Sequence, residues 1–358
     1  MAKMKIPWAV PNIQNEDTEA VKKVLRSGWL SMGREVKRFE DNMTSYLKIQ
    51  FGVATNNGTS ALDVALKCLG ISKGDEVIIP ALTYVATGNA VLYNNGTPVF
   101  VDVDDTLNID TTSIEEKITE RTKAIMNIDF GGNVSDYKEL LRISKQYDIP
   151  LVVDGAQSLG SEHHGIKCCT HGLLNTTSFH AAKILTTIEG GMVFTKDKTM
   201  CVRAQAIRNQ GDVSKFDHRY LGNNYRMTDL VAVIGNAQIP RIEETLTIRR
   251  EKARYYQEGL QNVRFPNELP NTVNSHFLFL ILTEKRDSLN AYLINNGIDT
   301  RITYPKPINE QPLFRNFSKE TYPMAKKISQ QIISLPLYNT ITRNQQDYII
   351  KKINTFNR

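Results

Sequence analysis

The first two thirds of the chain alternate short apolar runs with amphipathic stretches, and this alternation limits the possible fold more than any other feature. The apolar runs predict strands at 76–80, 98–102, 124–130, 150–154, 176–179 and 192–195. The amphipathic stretches predict helices at 17–26, 36–47, 58–69 and 136–147, the last with Ser135 as its N-cap. Strand–helix alternation of this kind indicates an α/β fold in which helices cover both faces of a mostly parallel sheet.

Beyond a long helix predicted at 229–242, the pattern changes to a smaller α+β region. A strand is expected at 276–282, and helices are expected at 286–296, 319–333 and 345–357. A chain of 358 residues is long enough for one large domain and a smaller second one. We predict a large domain over 1–245 and a small C-terminal domain over 246–358.

Composition and charge exclude several classes of function. Hydrophobic residues make up 41% and charged residues 23% of the chain, which is ordinary for a globular protein. The net charge of +6 is spread without a block of basic residues, so we expect no nucleic-acid partner, whereas an anionic small ligand is easily accommodated. We also expect no membrane partner and a cytoplasmic location, because no apolar run reaches the length of a membrane span and no signal-peptide core is present.

The cysteine and histidine patterns favour neither a disulfide scaffold nor a metal site. The chain has 4 cysteines without a C-x-x-C pair, which fits a reduced protein. The side chains of His163 and His164 diverge because the residues are adjacent, and no third ligand is suitably spaced. The acidic segment 102–105 resembles a metal-binding signature of some nucleotide-sugar enzymes, but a strand that ends in a polar turn explains it. We therefore predict no metal ion.

Lys183 lies between small and apolar neighbours. Ala182 and Ile184 flank it, and Gly190 and Gly191 soon follow, which lets the backbone approach a ligand closely. Such surroundings lower the pKa of an ammonium group and leave a neutral amine that attacks carbonyl carbons. Lysines that form Schiff bases, including those that hold pyridoxal phosphate, need this environment. Taken alone, the pattern also fits an ordinary lysine on a solvated face.

An apolar run that ends in Asp154 strengthens the interpretation of Lys183. The run 151–153 predicts a buried strand, and ligands of open α/β sheets bind at the carboxyl ends of such strands. Pyridoxal phosphate requires an acid beside its pyridine nitrogen, which keeps the ring electron-withdrawing. Asp154 and Lys183 together meet both needs of this cofactor.

The segment 57–61 leads directly into the predicted helix at 58–69. A helix N-terminus offers free N–H groups and a positive dipole end, and Thr59 and Ser60 add hydroxyl groups. These features predict a phosphate site, although a plain N-terminal cap explains the same residues. No Walker A or G-x-G-x-x-G segment competes for this role.

Several segments, in the same order along nearly the whole chain, resemble the DegT/DnrJ-type sugar aminotransferases. They are 57–62, 74–80, 83–87, 154–157, 178–191, 222–228 and 334–338. The resemblance implies a fold-type-I, aspartate-aminotransferase-like transferase with pyridoxal 5'-phosphate as cofactor and pyridoxamine 5'-phosphate as its aminated form. It also implies a homodimer with shared active sites.

The resemblance assigns roles to individual residues. Lys183 matches the Schiff-base lysine and Asp154 the partner of the pyridine nitrogen, so these two are the expected catalytic residues. Gln157 matches the residue beside the phenolic oxygen, and Tyr84 the aromatic ring on the pyridine face. The implied phosphate contacts are Gly58, Thr59, Ser60 and Ser178, together with Asn224 from the neighbouring subunit.

The same resemblance bears on the reaction. Some relatives replace the lysine with histidine and dehydrate sugars, so Lys183 favours transamination. The segment 186–191 resembles enzymes that act at the sugar C4 ketone, whereas enzymes that act at C3 usually carry Gly-Asp-Gly-Gly there.

Three residues are expected to contact the sugar substrate. The segment 28–33 resembles the N-terminal loop that flanks the sugar in the C4 group, which implies contacts from Trp29 and Met32. Tyr304 is the third expected contact. The segment 304–309 departs from many relatives, which carry a histidine after the proline.

The resulting hypothesis is a ping-pong transfer of an amino group from L-glutamate to the C4 ketone of a nucleotide-linked 4-keto-6-deoxyhexose, with release of 2-oxoglutarate and formation of a 4-amino-4,6-dideoxy sugar. Two alternatives stay open at this point: a C3 aminotransferase on the same fold and a non-catalytic regulator that binds pyridoxal phosphate. The nucleotide (UDP, dTDP or GDP) and the orientation of the new amine also stay open.

Overall fold

The computed structural model describes residues 5–357 of the chain. Its α-helices are α1 (Asn15–Ser27), α2 (Arg34–Leu47), α3 (Gly58–Leu69), α4 (Val85–Tyr93), α5 (Tyr137–Gln146), α6 (Lys198–Arg208), α7 (Asp229–Gln238), α8 (Ile242–Gly259), α9 (Arg286–Asn295), α10 (Pro323–Gln331) and α11 (Arg343–Phe356). None of the helices in this described range is long and apolar enough to span a bilayer.

Seven strands form the central sheet in the order β1-β9-β8-β5-β4-β2-β3. Their bounds are β1 (Phe51–Thr55), β2 (Glu76–Pro80), β3 (Thr97–Val101), β4 (Thr122–Ile128), β5 (Leu151–Asp154), β8 (Leu174–Ser178) and β9 (Gly191–Thr195). Strands β8, β5, β4, β2 and β3 are parallel, and β9 runs antiparallel to both of its neighbours. The predicted α/β fold with a mostly parallel sheet is therefore confirmed.

The shorter strands form three small sheets away from the central one. A three-stranded sheet contains β6 (Glu162–His163), β7 (Ile166–Lys167) and β12 (Thr272–Val273), and a hairpin contains β10 (Asp212–Ser214) and β11 (Asp217–His218). The C-terminal region contains an antiparallel pair, β13 (Phe279–Leu282) and β14 (Ile332–Leu335).

Helices cover both faces of the central sheet because successive residues of its buried strands point in opposite directions. In β2, Val77 and Ile79 join a core that includes residues of α3. Ile78, between them, joins the core on the other face, with Tyr137 and Leu140 of α5. All five residues of β2 are buried, as expected for a strand in the interior of a parallel sheet.

Helix α3 begins and ends where its sequence predicts. The Asn57 side chain accepts a hydrogen bond from the Ser60 N–H at 2.8 Å, which caps the N-terminus. Gly70 follows the last turn with φ of 75°, a left-handed conformation that glycine adopts without steric cost. Close approach of Gly58 to Ser178, the last residue of β8, places the N-terminus of α3 beside the carboxyl ends of the sheet strands.

The C-terminal region has its own apolar core, in which α9 and α11 pack around β13 and β14. Asp102, which follows β3, connects the two regions: its carboxylate accepts hydrogen bonds from the Met324 and Ala325 N–H groups at the N-terminus of α10. The acidic segment 102–105 thus has a structural role in capping a helix. The predicted domain division at 245/246 lies inside α8 and stays a prediction.

Four local predictions are wrong. Asp136 caps α5, because its side chain accepts from the Glu139 N–H, and the hydroxyl of Ser135 instead donates to the Ile128 carbonyl. The helix predicted at 229–242 stops at Gln238, where a 3₁₀ turn that contains a proline interrupts it.

The other two errors lie in the C-terminal region. The strand predicted at 276–282 begins only at Phe279, since His276 adopts a positive φ of 48°. The helix predicted at 319–333 is shorter, because Ile332 and the residues after it pair with β13. Pairing with a distant strand overrides local helix propensity here.

Replacing Gly235 of α7 with alanine is expected to lower the free energy of unfolding by about 1–3 kcal/mol. The added Cβ would lie 2.4 Å from Cε2 of Phe39, and that ring is fully buried. Urea denaturation should show this loss. In a Phe39→Leu background the same substitution should cost less, because the clashing ring is gone; an equal cost in both backgrounds would contradict the packing argument.

Candidate active site

A cavity of about 780 Å³ lies at the carboxyl ends of β4, β5 and β8, beside the N-terminus of α3. Most of the site residues predicted from the sequence line this cavity, although they are widely separated in the chain. They are Gly58, Thr59, Ser60, Tyr84, Asp154, Gln157, Ser178, Lys183 and Tyr304. Its position agrees with the general rule that ligands of parallel sheets bind at the carboxyl ends of the strands.

The first turn of α3 forms one wall of the cavity. The N–H groups of Gly58 and Thr59 have no acceptor within the helix, because they belong to its first turn. A Cβ at Gly58 would lie 2.8 Å from the Cβ of Ser178, so the close approach of these two segments requires glycine. This wall offers free N–H groups, hydroxyl groups and the positive end of a helix dipole, which together suit a phosphate.

Asp154 presents a buried carboxylate to the cavity, with only 2% of the residue exposed. The Thr87 hydroxyl donates to Oδ2 at 2.8 Å, and the Ala156 N–H donates to Oδ1 at 3.2 Å. Thr83 lies 2.7 Å from the Thr87 hydroxyl and continues this chain of hydrogen bonds. Burial raises the pKa of Asp154, and the bonds from Thr87 and Ala156 partly oppose that shift by stabilising the anion.

Lys183 lies in the turn after β8, where its N–H donates to the carbonyl of His180. Its Nζ is 4.1 Å from the centre of the Phe277 ring. Burial lowers the pKa of Lys183 to about 8, while the negative charge of Asp154 opposes the shift. The direction predicted from the apolar neighbours of Lys183 is therefore confirmed, and an appreciable fraction of the amine is neutral near physiological pH.

Gln157 and two tyrosine rings line the adjoining part of the cavity. Gln157 accepts a hydrogen bond from the Gly131 N–H at 2.7 Å and donates one to the Tyr304 hydroxyl at 3.4 Å. The rings of Tyr84 and Tyr304 lie with their centres 5.6 Å apart, and 53% of Tyr84 is exposed. Tyr84 therefore offers an open aromatic face to a planar ligand.

Three of the predicted residues do not line the cavity within one chain. Trp29 is 63% exposed, and Met32 packs against an apolar core that contains Phe39. Asn224 is exposed, and its side chain has no hydrogen-bond partner within residues 5–357. The single chain brings none of these three to the site.

Sequence reasoning missed several residues that line or support the cavity. Thr87 lies in the first turn of α4 and Thr83 just before the helix, and neither position gave a local signal of a role beside Asp154. Phe277 and Trp8 gave no local signal, because long-range folding brings them to the cavity. At the opening, His180 and Glu189 face each other at 3.8 Å, and both are exposed.

These residues fit pyridoxal phosphate. The cavity combines a helix N-terminus for a phosphate, a buried carboxylate and a lysine amine that is partly neutral at physiological pH. Position 58 must be glycine, because a side chain there would collide with Ser178, and the first N–H groups of α3 have no acceptor within the helix. Within residues 5–357 no three histidine, cysteine or acidic side chains converge in a way that could hold a metal ion.

Solved structures have the same fold over nearly the whole chain. The PLP form of Spr1654 from Streptococcus pneumoniae has a TM-score of 0.94 at 28% identity, with 99% of each chain covered. The fold and the cavity thus define a pyridoxal-phosphate-dependent aminotransferase of fold type I.

The chain belongs to the DegT/DnrJ/EryC1/StrS aminotransferase family, whose model matches residues 11–354. It is 34% identical to the GDP-perosamine synthase of Escherichia coli O157:H7, over 98% of each chain. It is also 32% identical to the dTDP-3-amino-3,6-dideoxy-alpha-D-galactopyranose transaminase of Aneurinibacillus thermoaerophilus, over 96% of each chain. The family, the enzyme class and the cofactor expected from the resemblance are confirmed.

In the cofactor-free protein, Lys183 is expected to react with an acylating reagent with a midpoint near pH 8, because its pKa is lowered to about 8 and only the neutral amine reacts. Reactivity should rise as the pH passes through this value. Lys37 serves as the reference, since a hydrogen bond to Asp41 raises its pKa and should delay its reaction to higher pH. Mass spectrometry of labelled peptides measures both; coincident midpoints would contradict the proposed effect of burial.

Proposed function

We propose that this aminotransferase moves the amino group of L-glutamate to the C4 ketone of a nucleotide-linked 4-keto-6-deoxyhexose. The observation that carries the proposal is the meeting of Lys183, Asp154 and the N-terminus of α3 in one cavity. The resemblance of the segment 186–191 to C4 enzymes supports the choice of C4. The presence of both Lys183 and Asp154 argues against a non-catalytic regulator.

The names of the relatives include both possibilities for the position of the amine. Three of them are named GDP-perosamine synthases. Another is named for a 3-amino sugar, and a further one is named UDP-2-acetamido-2-deoxy-3-oxo-D-glucuronate aminotransferase. A C3 aminotransferase is therefore the second candidate, and the C4 assignment depends on Glu189 and the residues around it.

We assign the cofactor contacts as follows: Gly58, Thr59, Ser60 and Ser178 to the phosphate, Asp154 to the ring nitrogen, Gln157 to the phenolic oxygen, Tyr84 to the ring face and Lys183 to the aldehyde carbon. When bound, pyridoxal phosphate supplies an electron sink that stabilises negative charge on the carbon next to the transferred nitrogen. The protein supplies orientation, charge and proton transfer.

Asp154 would hold a proton on the ring nitrogen of the bound cofactor. Its two oxygens are oriented by the Thr87 hydroxyl and the Ala156 N–H, so the carboxylate is aligned before the cofactor binds. In surroundings of low dielectric, attraction between this anion and a protonated nitrogen is much stronger than in water. Thr87 is thus a positioning residue for Asp154.

Lys183 moves the proton. Its Nζ, when neutral, would serve as a general base that takes the α-proton of the bound amino acid and, once protonated, as the general acid that gives a proton back. The same atom would serve both roles in the half-reaction with the keto sugar. The nearby Phe277 ring offers the ammonium form a cation–π contact. The negative charge of Asp154 limits the fall in the pKa of Lys183 that burial causes.

The reaction is expected to take place in the cytoplasm, where the four cysteines stay reduced. All four are buried and unpaired in the structure.

Incubation of the protein with L-glutamate and a panel of 4-keto-6-deoxy sugars linked to UDP, dTDP or GDP should yield an amine at C4. Mass spectrometry and NMR of the products would identify the accepted nucleotide and the orientation of the amine. Lys183→Ala is the matched control and should form no amino sugar. Turnover of 3-keto sugars alone would favour the C3 candidate, and no turnover of any keto sugar would favour a regulator.

We further propose a homodimer in which Asn224 contacts the phosphate bound by its partner. Asn224 is exposed, as are Trp29 and Ile188, although the latter two are large apolar residues. A partner subunit that covers these exposed residues would explain why Trp29 and Met32 lie outside the cavity of their own chain. Under this proposal the substrate contacts of Trp29 and Met32 also lie in the partner's site.

Mixing a Lys183→Ala chain with an Asn224→Asp chain should restore activity that neither variant shows alone. The new carboxylate would repel the phosphate only in the partner's site, so each mixed dimer would keep one intact site. Co-expression with two different affinity tags allows the mixed dimer to be purified and assayed. No recovery in a verified mixed dimer would show that each site is built from a single chain.

A further inference from the structure

An ion pair on α3 lies just beyond the wall of the cavity, with a buried carboxylate in the second turn and a partly buried lysine in the third. Lys67 Nζ is 2.5 Å from Oδ2 of Asp63, and only 1% of Asp63 is exposed. The side-chain amide of Asn94 donates to Oδ1 at 2.8 Å, and the Tyr225 hydroxyl donates to Oδ2 at 2.9 Å. Both oxygens of this buried carboxylate are therefore hydrogen-bonded, and its charge is paired.

The pair holds both neighbours of Asn224. Lys67 Nζ donates to Oδ1 of Asn223 at 2.8 Å, and Asp63 accepts from Tyr225. Burial and the negative charge of Asp63 raise the pKa of the Tyr225 phenol, which therefore stays protonated and continues to donate.

The backbone of the same segment is also fixed. The Asn223 N–H donates to the carbonyl of Ile207 at 2.8 Å, and the Tyr225 N–H donates to that of Arg208 at 3.0 Å. Gly222 is so close to the preceding hairpin that an added Cβ would lie 1.9 Å from the N atom of Gly211. The segment is thus held from two sides.

The direction of Asn224 follows from this arrangement. Asn224 forms an isolated antiparallel bridge with Asn209, so its backbone is locally extended and successive side chains point to opposite sides. Since Asn223 and Tyr225 bind the ion pair inside the chain, Asn224 points outward, and it is exposed.

Stability alone does not account for this arrangement of charges. A buried ion pair often contributes no more to stability than apolar residues of similar size, whereas its directed hydrogen bonds fix the positions of the groups they join. An apolar pair between α3 and the segment 223–225 would pack as well, yet it would not hold both neighbours of Asn224 by directed bonds.

We propose that Asp63 and Lys67 are positioning residues that hold Asn224 in place for the cofactor phosphate of the partner subunit. The inference rests on the shared-site homodimer proposed above. Under this inference, the geometry of the phosphate site in one subunit depends on the Asp63–Lys67 pair of the other subunit.

The test uses cofactor-free mixed dimers in which only the first chain keeps Lys183 and the second carries Lys183→Ala. Pyridoxal phosphate is titrated in and fixed with borohydride, and the modified Lys183 peptide of the first chain is quantified. With Asp63→Asn added to the second chain, half-modification should require about tenfold more pyridoxal phosphate, because one positioning interaction is lost. The same substitution in the first chain should have a smaller effect.

Asp17→Asn in the second chain is the matched control. Asp17 is also 1% exposed and lies 2.5 Å from a partly buried cation, Arg241, much as Asp63 lies beside Lys67, and no contact of Asp17 with the segment 223–225 is found within residues 5–357. The Asp17→Asn variant should leave the titration unchanged.

If Asp63→Asn prevents folding, Lys67→Met in the second chain takes its place in the test.

Asn224→Asp in the second chain separates the two proposals. If this variant weakens the binding but Asp63→Asn does not, the positioning role is overturned while the shared site stands. If neither has an effect, the shared site itself is wrong. An equal loss with Asp17→Asn would attribute the effect to general destabilisation and would also overturn the inference.

Discussion

The buried carboxylate of Asp154 is the interaction on which the arrangement of the site depends. Removing an anion from water is costly, and the Thr87 hydroxyl and the Ala156 N–H offset only part of that cost, since burial still raises the pKa of Asp154. The positive charge of Lys183 acts in the same direction as these bonds. A ligand that brings a protonated nitrogen to Asp154 would offset more of the desolvation cost of the carboxylate. Binding of such a ligand would therefore stabilise the folded site.

The sheet makes this arrangement possible. Strand β5 lies between β4 and β8, so Asp154 pairs with Ile128 on one side and Thr176 on the other. The parallel direction brings the ends of these strands to one edge, where the N-terminus of α3 also lies. Ser178 ends β8 at this edge and lies against Gly58, so α3 and the sheet are in direct contact at the proposed phosphate site.

Local signals in the sequence predicted some elements well and others poorly. Helix α3 and strand β2 have the predicted bounds because a cap, a terminal glycine and an apolar run mark their ends. The first two residues of β14 were predicted as the end of a helix. The pairing that makes them a strand joins them to β13, about fifty positions earlier in the chain, and so leaves no local signal. In the site, Lys183 and Asp154 followed from local chemistry and motifs, whereas Thr87 and Phe277 are defined only by contacts with residues distant in the chain.

The sequence by itself determined the α/β class and the family, and it pointed to the residues proposed to carry the chemistry, because these depend on apolar periodicity and on short motifs with fixed spacing. Only the tertiary structure decided the contact of Lys183 with Phe277, the partners of Asp154 and the ion pair beside Asn224. Each of these is set by burial and by atoms that approach within a few ångströms after distant segments have packed. Such distances have no counterpart in the order of residues along the chain.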